Sequence, residues 1–94
     1  MLNNLIISYD LHAPVQNYDA VIDAIKELGS WASVHGSVWY VKSSLSEVQA
    51  REKIWKVMDS DDSLIVFNAT TNSCAWQNLS EAVANFISNN WSNK

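Results

Sequence analysis

The chain has two glycines, one proline and one cysteine in 94 residues, and each shortage removes a class of chemistry. Gly29 and Gly36 are too few and too isolated for a P-loop or a dinucleotide fingerprint, which need clustered glycines to bring backbone amides onto a phosphate. Cys74 alone cannot close an internal disulfide, and no CxxC or Cys/His spacing offers a zinc site. A reducing, cytoplasmic setting is the expectation. Long apolar runs are missing as well. Met1 to Leu11 contains an apolar run, but it has no basic start and falls well short of the roughly 20 residues that span a bilayer. It reads as a buried strand, and no membrane association is expected.

What the chain does have is apolar bulk. Hydrophobic residues make up 48% and charged residues 17%, a balance that folds and excludes a disordered segment. Five tryptophans are more than a small core encloses, so some are expected to face a partner. The formal net charge of -4 repels phosphate backbones, so nucleic-acid binding is expected to be weak. Four of the six basic residues, Lys42, Arg51, Lys53 and Lys56, fall close together with Glu47 and Glu52 among them, which reads as a solvated helix face of mixed charge.

The pattern along the chain gives an order of elements. Leu5, Ile6, Ile7 and Tyr9 mark a central strand, and Pro14 enforces a turn after it. Val21, Ile22, Ile25 and Leu28 form one helical stripe, with Asn17 placed to cap its start and Gly29 its end. Trp31 to Ser43, broken at Gly36, reads as a hairpin. Ser44 and Glu47 have the spacing of a capping box that opens a second helix, which ends in the polar run Asp59 to Ser63. Leu64 to Phe67 is a fourth strand, Cys74 to Trp76 an edge strand, and Asn78 with Glu81 opens a last helix through Leu79, Val83, Phe86 and Ile87, extended by Trp91.

This order, βαββαβ, predicts one α+β domain over residues 1–94, with a ferredoxin-like core at about 2–68 and a C-terminal extension at about 73–92. Its antiparallel sheet carries two helices on one face and adds a C-terminal edge strand and helix. The other face then needs cover, from the last helix, a second subunit or both. A homodimer is the physical expectation.

Ile7-Ser8-Tyr9-Asp10-Leu11 and Ser37-Val38-Trp39-Tyr40-Val41 resemble the strand end and hairpin strand of the Cas2 family of small CRISPR-associated proteins, most closely its SinR-like members. In order and spacing the likeness runs over residues 5 to 67. It implies a homodimer in which Asp10 meets its symmetry mate across a cleft and holds a divalent cation, Mg²⁺ or Mn²⁺, for phosphodiester cleavage. Cas2 chains carry Arg or Lys in and after the first loop. Here residues 12 to 19 hold no permanent positive charge, which turns the expectation toward a binding role.

Asp10 is the candidate catalytic residue and, with His12, the candidate metal pair. A carboxylate ending an apolar strand is costly unless paired, hydrogen-bonded or metal-bound, and His12 shares its face if the strand persists. Capping of the loop by Asp10 and plain exposure of His12 are the alternatives. Trp31, Trp39 and Trp91 are the candidate interface or binding residues, with core packing as the alternative. His35 reads as turn decoration, Cys74 as a small buried side chain, and Asp59, Asp61 and Asp62 as a solvated helix stop without the glycine of a calcium loop. Three functions stand open: a non-catalytic or weakly active adaptor with a protein partner in a defence or mobile-element setting, a metal-dependent nuclease or phosphodiesterase, and a small-ligand or nucleotide binder.

Overall fold

A computed structural model describes residues 2–12 and 18–91. Eight elements follow in order: β1 (Asn3–Asp10), α1 (Tyr18–Lys26), β2 (Gly29–His35), β3 (Val38–Ser43), α2 (Glu47–Trp55), β4 (Ser63–Asn68), β5 (Ser73–Gln77) and α3 (Glu81–Asn90). The five strands form one antiparallel sheet in the order β2-β3-β1-β4-β5. The first and second strands of each crossover are therefore split by a third strand. An α+β fold with a five-stranded antiparallel sheet is what the element order led one to expect. The turn at Pro14 and the cap at Asn17 lie outside the described residues.

Side chains alternate across the sheet, so each strand divides its residues between two faces. Leu5, Ile7 and Tyr9 of β1, Trp39 and Val41 of β3, and Leu64 and Val66 of β4 are buried on one face, where Val21 and Ile25 of α1 and Ala50 and Ile54 of α2 complete the core. Full burial of each Leu, Ile or Val stabilises by about 1.5–3 kcal/mol. Helix α1 forms because Val21 and Ile25 stand four apart, with Asp19 in the first turn and Lys26 in the last, both suited to the helix dipole.

Several local expectations are corrected. Helix α2 is capped by Ser46, whose hydroxyl accepts from the Gln49 amide at 3.1 Å while Gln49 accepts from the Ser46 amide at 3.0 Å. The box thus lies two residues beyond Ser44 and Glu47, because the Ser43 side chain takes up the Leu45 amide and holds that segment out of the helix. Gly29 ends no helix in a left-handed turn. It opens β2, where a Cβ would strike the Lys42 carbonyl oxygen, so glycine is required for close strand approach. Helix α2 stops at Trp55, before the acidic run, and α3 is capped by Ser80 in place of Asn78. Asn78 has φ of 62° and donates to the carbonyls of Ser60 and Asp62 at 3.0 and 2.8 Å.

Candidate functional site

The alternation that buries Leu5, Ile7 and Tyr9 points Asn4, Ile6, Ser8 and Asp10 to the sheet face away from α1 and α2. Asp10 is the last residue of β1, antiparallel to Ser63 of β4. Beyond it the chain leaves the sheet, and His12 turns back so that its Nε2 lies 3.0 Å from Asp10 Oδ2. Both side chains are more than half exposed. A carboxylate on one ring nitrogen orients the imidazole and leaves the other nitrogen open to solvent, the arrangement of a general base or of two adjacent metal ligands. Among the described residues no group of three or more His, Cys, Asp or Glu side chains converges as a metal site. The pair would need water or a second subunit to complete one.

A third acid supports this corner, and sequence reasoning misplaced it. Asp62 is 3% exposed. Its two carboxylate oxygens accept from the His12 and Asp59 amides, each at 2.8 Å. The turn after α2 is thereby fastened to the end of β1. Charge-assisted bonds to two backbone amides offset the cost of burying the carboxylate. Asp62 is a buried strut, where a solvated helix stop was expected.

The tryptophans separate into three environments. Trp39 is 5% exposed and belongs to the core, and its indole Nε1 is buried without a full hydrogen-bond partner. Its ring meets Trp31 at 5.4 Å between centroids; Trp31, on the edge strand β2, is 46% exposed and lies 4.5 Å beneath the Lys26 ammonium. Trp91 packs on Phe67 at 5.4 Å and donates from Nε1 to the Asn72 carbonyl at 2.9 Å. Asp10, His12, Trp31 and Trp91 are therefore not one site. His35 is exposed at the hairpin end, as read.

Tyr9, whose hydroxyl donates to the Gly36 carbonyl at 3.2 Å, has its pKa pushed above the ordinary value by burial, which outweighs the opposing pull of the Trp39 indole. Cys74 is half-buried, and burial together with the nearby Glu47 charge raises its thiol pKa. That favours the unreactive protonated form. Cys74, Trp76, Ile87 and Trp91 line a cleft of about 360 Å³ between β5 and α3.

The sheet face bearing Asp10 is incompletely covered among the described residues. Ile6, Val38, Tyr40, Ile65, Phe67 and Trp76 are all partly exposed there. Helix α3 has no buried residue, and Val83 and Phe86 are 48% and 70% exposed. No helix among the described residues is long and apolar enough to cross a membrane. No family model, curated protein or solved structure matches the chain.

Proposed function

We propose that the chain is a ferredoxin-like, Cas2-like homodimer that acts as a non-catalytic or weakly active adaptor in a defence or mobile-element setting, its subunits closing over the sheet face opposite α1 and α2. The reading rests on two features, the unburied apolar stripe of α3 and the partly exposed Ile6, Tyr40, Ile65 and Phe67 of the sheet. Surfaces of this kind mark protein contacts in soluble domains. The ferredoxin-like part of the reading is supported by the antiparallel order β2-β3-β1-β4-β5, in which each βαβ crossover spans one intervening strand. Sedimentation is expected to give a dimer at micromolar concentration, and Ile65→Lys, which puts a charge on that face, is expected to weaken it at least about tenfold. A folded monomer at millimolar concentration would overturn the reading.

A second reading is favoured by one contact, the 3.0 Å pair of Asp10 and His12. In a dimer closed over that face, Asp10 and its symmetry mate would border the same groove and would hold a hydrated Mg²⁺ or Mn²⁺, which would supply Lewis-acid activation of water against a phosphodiester. Metal-dependent cleavage lost in Asp10→Ala, with the dimer intact, is its signature. Absence of cleavage in the native protein leaves the adaptor.

A further inference from the structure

Strand β2 ends the sheet, and all seven of its residues are exposed. Among the described residues its backbone makes no backbone hydrogen bond beyond the ladder to β3, and only the His35 carbonyl accepts a further bond, at 3.5 Å from the Ser33 hydroxyl. Natural edge strands are blunted by lysine, proline or a bulge. Here Gly29 to His35 contains neither lysine nor proline, and the one register shift lies between Ser33 and His35. Gly29 to Ser33 is thus an open stretch of regular edge.

The strand itself carries no acid, and a lysine stands on each side of it, with Glu27 just before its start. Residues 28 to 46 contain no Asp or Glu, although the chain has ten. Lys26 stands over Trp31 on the helix-covered face, and Lys42, paired across the ladder with Ser30, is exposed on the other. Neither is in an ion pair among the described residues, where the pairs are His12 with Asp10 and Arg51 with Glu52.

We propose that β2 takes up an extended segment of a partner protein carrying two consecutive acidic residues, glutamates above all. Successive side chains of an added strand point to opposite faces. Carboxylates opposite Ser30 and Trp31 therefore go one to Lys42 and one to Lys26. An added strand lies about 9–10 Å from β3, and a lysine and a glutamate together span that distance over the small Ser30 side chain. A second copy of β2 is the poorer occupant. It brings no carboxylate to either lysine and adds two more cations. The strand edge and Lys26 lie apart from the proposed dimer, whereas Lys42 stands at the margin of the sheet face that the dimer would close over.

The test is amide exchange of Gly29 to Ser33 and the Trp31 indole resonance, followed by NMR as an end-blocked peptide Thr-Val-Glu-Glu-Val-Thr-Val is added at low salt. Protection of those amides and a shift of the indole signal are expected. The Lys-Lys counterpart of the peptide, and the double variant Lys26→Ala, Lys42→Ala with the acidic peptide, should each bind about five- to tenfold more weakly. Both lysines are exposed, so the variant keeps its fold, checked by its unchanged core resonances. Equal binding of the two peptides, or no binding at millimolar concentration, overturns the proposal. So does protection of the same amides by raising the protein concentration alone, which would assign the edge to a second copy.

Discussion

Three acids near one corner have three different duties. Asp10 is exposed and pairs with His12, Asp62 is buried and holds backbone amides, and Asp59 donates its amide to Asp62. Asp62→Ala leaves two amide donors without acceptors and is expected to destabilise the fold by about 1–3 kcal/mol in denaturant unfolding. Asp10→Ala should change stability by less than about 0.5–1 kcal/mol, because its ion pair is exposed. The two outcomes separate a supporting acid from one available for chemistry. Spacing singled out Asp10 and His12 on the condition that the strand persisted, but β1 ends at Asp10 and their contact comes from the turn that follows. Asp62 was not legible in the sequence, since burial of one aspartate in the run Asp59 to Ser63 depends on where β1 ends in space, which no local pattern encodes. Gly29 was misassigned for a similar reason. Its requirement comes from the Lys42 carbonyl of a neighbouring strand, so Gly29→Ala should destabilise by more than the gain of about 0.4–1 kcal/mol that relief of glycine's chain entropy would bring.

At the scale of elements, hydrophobic period was the reliable signal and chain ends were not. The stripe of α1 and the apolar runs of β1 and β4 are set by side chains that face the core together, so the pattern carries the element. Caps depend on one hydrogen bond, and two neighbouring serines compete for it. Ser46→Ala should cost about 1 kcal/mol and Ser44→Ala close to nothing, measured by thermal unfolding. The first residue of α2 adds a pH dependence. Burial raises the Glu47 carboxyl pKa, but bonds from its own backbone amide, Asn68 and Ser73 outweigh this and leave it below its ordinary 4.5. Such a group stabilises the fold above that value, and its contribution is lost as pH falls through the lowered folded value. Glu47→Gln should therefore reduce stability at neutral pH and flatten the loss of stability below about pH 4.5. Tyr9 works in the opposite sense. Its raised pKa favours the protonated phenol in the fold, so stability is full below its ordinary 10.0 and declines above it. Tyr9→Phe should soften that alkaline decline, read from unfolding at successive pH values.

For the whole molecule, the element order gave the antiparallel sheet and the two helices on its first face, while the environment of α3 remained beyond reach. A stripe of Leu79, Val83, Phe86 and Ile87 announces that a helix has an apolar side, but it cannot say whether that side is covered within the chain. Helix α3 has no buried residue, and Trp91 at its end ties it to Phe67 and Asn72. Trp91→Ala should thus release α3 with little loss of core stability. It should raise binding of an apolar dye while the unfolding midpoint of the sheet shifts by only about 1–2 °C.

The placement of β1 has a further result. It is the middle strand, laced to β3 on one side and β4 on the other, whereas β2 and β5 are each held along a single side. Gentle warming or dilute urea therefore peels the margins first. Asp10 hangs from the last strand to let go, so whatever its carboxylate does should persist through fraying of both edges and disappear only when the domain itself melts.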